Sequence, residues 1–158
     1  MTDVSLSDKI AVIEKINQVA LYADLLQWDL LVGEVFHDKV TVDYTSLFGG
    51  EVETLTSAQL IARWKTVLPG FDSTQHLLGS YFVEIEKDTA KATAHVRANH
   101  FLANTMGGDT WVVGGTYFYE LVRTDAGWRI RSSRLAMSYV EGNQHLLALA
   151  QERVKARA

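Results

Sequence analysis

The chain contains no cysteine, a single proline and no long run of apolar residues. Without cysteine there can be no disulfide, no thiolate nucleophile and no cysteine-rich zinc site, and the composition fits a reducing compartment. No stretch of about 18 apolar residues is present, so no segment is expected to span a membrane. Residues 1–9 (MTDVSLSDK) lack the basic and apolar regions of a signal peptide. We therefore expect a cytoplasmic protein without a membrane partner.

Concentrated positive charge is also missing from the sequence. The formal net charge is −4, and the lysines and arginines are scattered along the chain. Nucleic-acid-binding domains usually carry a basic patch, so nucleic acid is not expected as a partner. With 47% hydrophobic and 22% charged residues over 158 positions, the composition is typical of one globular domain, which we place over residues 1–158.

The most informative segment is residues 91–102 (KATAHVRANHFL), which has the two-residue period of a half-buried strand. One face of this strand carries three alanines and a valine before it reaches His100. Small side chains on an inward face leave space in front of a sheet, and a buried imidazole facing that space is a candidate for chemistry. His100 is therefore the first candidate catalytic residue.

The first helix supplies a second candidate. Ser5 or Ser7 can cap its N-terminus, and its expected apolar stripe is formed by Ile10, Ile13, Ile16 and Ala20. Asp24 lies within about 20° of this stripe around the helix axis, which predicts a carboxylate near the buried face. Alternatively, the helix ends near Ala23 and Asp24 only caps the next turn. Residues 25–36 are expected to form a second short helix.

Two further polar side chains share a face with apolar neighbours. Residues 39–46 (KVTVDYTS) alternate, which places Tyr44 on the same face as Val40 and Val42. Its hydroxyl could simply be satisfied within a core. His76 lies in residues 73–81 (STQHLLGSY) with Leu78 on the same face, and on its own it could equally be a core histidine.

The later segments predict a meander of four antiparallel strands. Residues 81–86 and 89–102 form one hairpin, and residues 111–122 and 128–137 form another. On the third of these strands one face carries Trp111, Val113, Gly115, Tyr117, Tyr119 and Leu121. Helices outside a meander predict an α+β fold, in which a curved, mixed or antiparallel sheet wraps around the N-terminal helices to form a cone with a deep pocket. We interpret the C-terminal helix as a solvated or subunit-contacting surface.

Asp24 and His100 together predict a general base. The carboxylate would accept the Nδ1 proton and hold the tautomer, while Nε2 takes a proton from a substrate. The sequence has no nucleophile elbow and no glycine-rich nucleotide motif, which leaves proton transfer without a cofactor. Two histidines and a carboxylate could instead form a facial metal triad, but metal-ligand spacing is missing, and we expect no metal.

Six segments resemble the SnoaL-like branch of the nuclear transport factor 2-like superfamily. They are residues 22–31 (YADLLQWDLL), 40–48 (VTVDYTSLF), 73–79 (STQHLLG), the His100 strand, 114–121 (GGTYFYEL) and 127–130 (GWRI). The similarity covers nearly the whole chain and implies an α+β cone with a deep pocket. This superfamily includes polyketide cyclases, ketosteroid isomerases, dehydrochlorinases and dehydratases, and the pattern is closest to that of the scytalone dehydratases.

The resemblance implies catalytic roles for four residues. Asp24 matches the aspartate of a D-x-x-x-W-D segment, and Tyr44 matches the tyrosine of I-D-Y. His76 matches the histidine of T-Q-H, and His100 matches a second family histidine one strand later. In the implied mechanism Asp24 orients His100, which moves the proton. Tyr44 polarises a carbonyl, and His76 assists the departing hydroxide.

The resemblance also implies a substrate pocket that includes Tyr22, Trp28, Gly115 and Tyr117. The sequence departs from the family pattern at several of these positions. A family tyrosine directly before the aspartate is replaced by Ala23, with Tyr22 one residue earlier. A serine and an asparagine of the family fall at Gly115 and Tyr117.

Together these interpretations predict a cofactor-independent lyase of the dehydratase type, acting on a small hydrophobic cyclic or polyketide-like hydroxy-ketone. An isomerase resembling the ketosteroid isomerases, or a cyclase, would use the same groups. The rival of another class is a non-enzymatic module that binds a small ligand, because the same cone serves both purposes. We expect a homodimer or homotrimer.

Overall fold

The first helix is capped as its sequence predicts. The computed structural model describes residues 5–158, in which α1 spans Leu6–Asp24. The Ser5 side chain accepts a hydrogen bond from the backbone N–H of Asp8, and the Asp8 carboxylate lies in the first turn of the helix. Both features stabilise a helix N-terminus.

The buried face of α1 is rotated slightly from the expected stripe. Val12, Ile16, Val19 and Ala23 are buried, whereas Ile10 is exposed and Ile13 is half-buried. The prediction that Ile10 lies on the buried stripe is therefore wrong. The buried residues Val12, Ile16, Val19 and Ala23 follow one another at spacings of four, three and four, and Ile10 lies outside the helix face that they define. No helix in residues 5–158 is long and apolar enough to cross a membrane.

The remaining elements separate short helices from long strands. After α1 the chain forms α2 (Trp28–Leu30), a π-helical turn (Leu31–Val35), β1 (Phe36–Asp43), α3 (Thr45–Phe48), β2 (Glu53–Thr56), α4 (Ser57–Lys65), a 3-10 turn (Leu68–Gly70), β3 (Ser73–Glu86), β4 (Thr89–Phe101), β5 (Thr110–Thr124), β6 (Gly127–Gly142) and α5 (Leu146–Arg157). The expected single helix over residues 25–36 is thus replaced by two short turns, and Phe36 already belongs to β1.

The six strands form one mixed sheet in the order β2-β1-β6-β5-β4-β3. Strands β3 to β6 are the predicted antiparallel meander, while β1 pairs parallel with β6. Strand β2 and the N-terminal half of β3 were not separated from loops by the sequence pattern. Register irregularities in β3, β5 and β6 accompany the curvature of the sheet. The α+β cone predicted from the sequence is confirmed.

The C-terminal helix closes one end of the cone. A side chain at Gly70 would lie 2.0 Å from the carbonyl oxygen of Ala150, so α5 can approach the 3-10 turn this closely only at a glycine. Arg153 then donates a hydrogen bond to Asp72 at 2.6 Å. The interpretation of α5 as a purely external surface is wrong, since Leu147 and Gln151 line the interior cavity.

Candidate active site

A cavity of about 540 Å³ opens between the inner face of the sheet and helices α1, α4 and α5. Its volume is within the range of small-molecule sites. The large aromatic side chains Trp64, Trp111 and Tyr117 line the cavity without filling it. Four polar residues that also reach its wall are Tyr44, His76, His100 and Tyr119. The candidate catalytic groups predicted from distant parts of the sequence are thus brought to one place.

The strongest polar contact at the cavity joins His76 to Asp24. Nδ1 of His76 lies 2.7 Å from Oδ1 of Asp24, and the backbone N–H of His76 donates to Oδ2 at 2.8 Å. The Thr74 hydroxyl donates a third hydrogen bond to Oδ1 at 2.8 Å. The side chains of His76 and Asp24 are 17% and 14% exposed, respectively, so the pair is largely removed from water.

The position of Asp24 follows from where α1 ends. The helix packs against β3 and terminates at Asp24, beside the first residues of that strand. The carboxylate therefore bonds to Thr74 and His76 and does not cap the following turn, which begins after Gln27 without a side-chain cap. This excludes the alternative in which Asp24 serves only as a cap. Asp24 itself does not line the cavity and acts through His76.

The carboxyl of Asp24 is held in its ionised form. Burial alone would raise its pKa, but the hydrogen bonds from His76, the charge that the ring carries when it is protonated, and the Thr74 hydroxyl hold that pKa below its usual value. An ionised carboxylate can only accept, so the hydrogen bond at 2.7 Å places a proton on Nδ1 of His76. In the neutral imidazole Nε2 is then free to accept a proton.

His100 occupies a different environment although it is a close neighbour. It is 6% exposed, and its Nδ1 lies 3.1 Å from the carbonyl oxygen of Trp111. Burial, with a smaller contribution from the nearby His76, lowers the pKa of His100 to about 4. The ring is neutral at physiological pH, with its proton on Nδ1 because a carbonyl oxygen can only accept.

The predicted pairing of Asp24 with His100 is therefore wrong. The rings of His76 and His100 are perpendicular, with centroids 5.4 Å apart, and His76 stands between His100 and the carboxylate. The register explains the order, because Thr74 is opposite His100 on β3 and β4, which puts His76 one inward position further along. A proton taken up at this site is stabilised by Asp24 on His76, while burial opposes a charge on His100.

The wall across the sheet carries tyrosine hydroxyls. Tyr44 follows β1, and Tyr117 and Tyr119 lie on β5 with stacked rings whose centroids are 5.2 Å apart. Burial raises the pKa of Tyr44 to about 12, with a small opposing effect of the nearby Ser133 hydroxyl, and it raises the pKa of both other hydroxyls well above the usual value. All three are neutral hydrogen-bond donors at physiological pH.

Of the four residues expected in the substrate pocket, only Tyr117 lines the cavity. Tyr22 is two positions before Asp24, about 200° around the helix axis, so its ring packs on another part of the core. Trp28 lies in α2 and packs on the same core. Gly115 lies at a register irregularity with β6 and borders a shallow groove on the outer face of the sheet. These three predictions are wrong.

Several residues of the site were not singled out from the sequence. Tyr119 shares the face of Tyr117, and Thr74 shares the face of His76, so their two-residue spacing was the available signal. Trp111 also shares the face of Tyr117, so the same spacing was available for it. Ser133 carries no such signal, since its neighbours are set by pairing between strands. The facial metal triad requires three converging ligands, and residues 5–158 contain no group of three histidine, aspartate or glutamate side chains placed to hold an ion.

The sequence and the fold identify the family. Residues 4–134 match the family model described as the SnoaL-like domain, and this protein belongs to that family. No curated protein of known function matches the chain.

Solved structures with the same fold cover almost the whole chain. Kfla4162 protein from Kribbella flavida is 35% identical, covers 90% of this chain and 97% of its own, and superposes with a TM-score of 0.86. A protein from Novosphingobium aromaticivorans, provisionally named a scytalone dehydratase, is 17% identical with coverages of 91% and 93% and a TM-score of 0.73. The hexachlorocyclohexane dehydrochlorinase LinA-type3 from Novosphingobium barchaimii is 15% identical with coverages of 88% and 92% and a TM-score of 0.70. At such low identities the last two similarities concern the fold.

Proposed function

We propose that this protein is a cofactor-independent lyase of the dehydratase type, acting on a small hydrophobic cyclic or polyketide-like hydroxy-ketone. The observation that carries the proposal is the His76–Asp24 pair at the wall of a ligand-sized apolar cavity. A buried carboxylate that fixes the tautomer of an imidazole is the arrangement of a general base. A binding module would have no need of an ionised carboxylate behind a cavity-lining histidine.

The proposed reaction is an elimination across two carbons. Nε2 of His76 takes the proton from the carbon next to the ketone, and the C–H electrons move into the carbonyl to give an enolate. The enolate then re-forms the carbonyl as the C–O bond to the β-hydroxyl breaks and a C=C bond forms. The departing hydroxide takes the proton back from His76, so water leaves and the imidazole returns to its starting state. Asp24 stabilises the imidazolium throughout.

The other polar groups have roles that differ from those expected from the sequence. Tyr44 donates a hydrogen bond to the carbonyl oxygen, as the resemblance implies. His76 replaces His100 as the group that moves the proton, because Asp24 contacts His76. His100 presents an unprotonated Nε2, which can accept a hydrogen bond from the substrate hydroxyl. An isomerase or a cyclase would use the same base but would not release water.

The names of two structural relatives are consistent with an elimination. A scytalone dehydratase removes water, as its name states, and a hexachlorocyclohexane dehydrochlorinase removes hydrogen chloride. Both names describe the loss of a small molecule from a substrate, which is the outcome of an elimination. This supports the lyase class for the present chain.

The proposal is tested with a panel of one- and two-ring β-hydroxy ketones, beginning with 3-hydroxycyclohexanone. Formation of the conjugated enone is followed by ultraviolet absorbance, and exchange of the α-proton in D₂O is followed by NMR. For any ketone of the panel that the wild-type protein converts, we expect His76→Gln to lower kcat/KM by about 10²- to 10⁴-fold. The matched control is His95→Gln, because His95 lies on β4 but faces the outer side of the sheet.

The two assays separate the candidate functions. Enone formation that depends on His76 supports the lyase. Exchange of the α-proton that depends on His76 but gives no enone would indicate an isomerase or a cyclase and would contradict the lyase. Binding of ketones with neither exchange nor elimination, unchanged in His76→Gln, would favour the ligand-binding module and contradict the proposal.

We also propose a homodimer or homotrimer. The outer face of the sheet carries the exposed side chains of Leu77, Phe82, Phe118 and Tyr139. Apolar surface of this kind favours association. Light scattering coupled to size-exclusion chromatography should give two or three times the 17.7 kDa chain mass, and a monomer would contradict the proposal.

A further inference from the structure

The mouth of the cavity is formed by one part of the chain. Within residues 5–158, every cavity-lining residue that is exposed to solvent lies between positions 48 and 66. Most of them belong to the segment after α3, which contributes Phe48, Gly49, Gly50 and Glu51. The lining residues outside positions 48–66 are buried or half-buried. A ligand therefore enters and leaves the cavity beside this segment.

Residues 47–52, which we call the flap, are fixed at their two ends. Before the flap, the Ser46 hydroxyl donates a hydrogen bond to the carbonyl oxygen of Leu135 on β6 at 2.6 Å. After the flap, the Glu53 carboxylate accepts two hydrogen bonds from the guanidinium of Arg63 on α4, one of them at 2.9 Å. These contacts join the ends of the flap to the sheet and to a helix.

Between its ends the flap is loosely held. In the part of the chain that the structure describes, no backbone hydrogen bond involves residues 50–52. A Cβ atom added at Gly49 or Gly50 would meet no other atom within 4 Å, so neither glycine is packed against the body of the protein. Both have positive φ angles, 69° and 79°, and glycine changes such conformations at little cost. The glycine pair therefore has the properties of a hinge.

The flap also carries apolar side chains that face solvent. Phe48 is 57% exposed and Val52 is 55% exposed. Since Phe48 also lines the cavity, its ring lies at the rim of the mouth. Removing a large apolar ring from water is favourable, and an apolar ligand in the cavity would give Phe48 a surface on which to pack.

We propose that the flap is a lid that closes over an apolar ligand, with Gly49 and Gly50 as its hinge and Phe48 as the side chain that contacts the ligand. Closure shuts the mouth and keeps water away from His76 while a proton is transferred. The inference goes beyond the proposed function, because it requires an apolar ligand but does not depend on which reaction His76 performs.

The first test measures the binding and release of prodan, a neutral naphthyl ketone whose fluorescence changes when it leaves water. Prodan has no hydroxyl group to eliminate, so it is bound without turnover. Phe48→Ala should weaken prodan binding by roughly 5- to 20-fold, mainly through faster dissociation, because the contact with the lid exists only in the complex. The matched control is Phe82→Ala, since Phe82 is 62% exposed on the outer face of the sheet. It should bind prodan within about 2-fold of the wild type.

The second test follows the position of the flap directly. Because the chain has no cysteine, the variants Val52→Cys and Phe82→Cys each carry a single thiol. Val52 does not line the cavity, so protection of a thiol there requires movement of the flap and not only contact with the ligand. Saturating prodan should slow the reaction of Val52→Cys with a maleimide by about 5-fold or more and leave the rate for Phe82→Cys unchanged.

Four results would overturn the inference. The wild type fails to bind prodan, Phe48→Ala binds and releases it as the wild type does, or prodan leaves the labelling rate of Val52→Cys unchanged. The fourth is a lower oligomer mass for Phe48→Ala in light scattering, which would assign the Phe48 ring to a contact between subunits. Failure of the β-hydroxy ketone assay would leave these measurements as they are, so the lid and the lyase are tested separately.

Discussion

His76 and His100 lie on neighbouring strands with ring centroids 5.4 Å apart, yet they are chemically opposite. His76 contacts an ionised carboxylate, whereas His100 contacts a backbone carbonyl and the ring of Trp111. A proton on His76 is stabilised by a full negative charge. A proton on His100 is opposed by burial and by repulsion from His76.

The comparison shows that a buried histidine is a poor indicator of a base unless its partner is known. His100 is the more buried of the two. It stood out in the sequence because it follows a row of small apolar residues on one face of its strand. Its partner is a neutral oxygen, so it serves as a fixed hydrogen-bond acceptor. His76 looked ordinary beside its apolar neighbours, and the carboxylate that gives it a catalytic environment comes from a helix 52 positions earlier.

The largest effect within this comparison is expected from removing the charge that distinguishes His76. Asp24→Asn keeps the size of the side chain but loses the negative charge that stabilises the imidazolium. We expect kcat/KM for a turned-over β-hydroxy ketone to fall by about 10²- to 10³-fold. Circular dichroism would confirm that the variant is folded. A loss of less than 5-fold would show that Asp24 does not support the base.

An intermediate effect is expected on stability, and it concerns His100. Its pKa is about 4 in the fold against 6.5 for the free side chain, so between these values the unfolded chain binds more protons than the folded one. The contribution of the neutral His100 to the free energy of unfolding is therefore fully present above pH 6.5 and is lost as the pH falls toward 4. A difference of this size corresponds to about 3 kcal/mol.

The measurement is the free energy of urea unfolding at pH 7 and pH 4 for the wild type and His100→Gln. The glutamine amide can still donate to the Trp111 carbonyl but does not titrate. The drop in stability from pH 7 to pH 4 should be smaller in the variant by most of that 3 kcal/mol. Equal drops in both proteins would mean that His100 is protonated in the fold as easily as in water.

The smallest effect is expected from the third hydrogen bond to Asp24. Thr74→Val removes the hydroxyl that donates to Oδ1 at 2.8 Å but leaves the charge and both contacts with His76. We expect the pKa of the Asp24 carboxyl to rise, since a bond that favours its ionised form is lost, and kcat/KM at pH 7 to fall only 2- to 5-fold. NMR titration of the carboxyl carbon would report the first change. An unchanged Asp24 pKa would contradict this assignment.

The fold was predictable to a large extent. Alternation with a period of two indicated the meander correctly, and the cap at Ser5 indicated where α1 begins. The sequence was less informative where elements are short or irregular. The π-helical turn at Leu31–Val35 and the edge strand Glu53–Thr56 have too few residues for a periodic pattern, and they form because neighbouring elements pack on them.

The structure brings the side chains proposed for the site to one cavity but pairs them differently from the prediction. Tyr44, His76 and His100 all reach the cavity, as their strand faces indicated, and Asp24 is partly buried beside it. The choice of His100 as the partner of Asp24 failed because either histidine could meet the end of α1. The pocket positions at Tyr22 and Trp28 failed because their rings pack on another part of the core. Gly115 failed because the carbonyl oxygen of Ala136 on β6 occupies the space in front of it, and no open cavity lies there.

By itself, the sequence determined which side chains lie on the inner faces, because in a strand this depends only on odd or even position and in a helix on steps of 100°. It also determined the class of fold and the kinds of chemical group available. Only the tertiary structure decided which histidine receives the carboxylate and which receives the carbonyl. That choice depends on the angle at which α1 crosses β3 and on the register between β3 and β4, and both are set by packing between segments far apart in the chain.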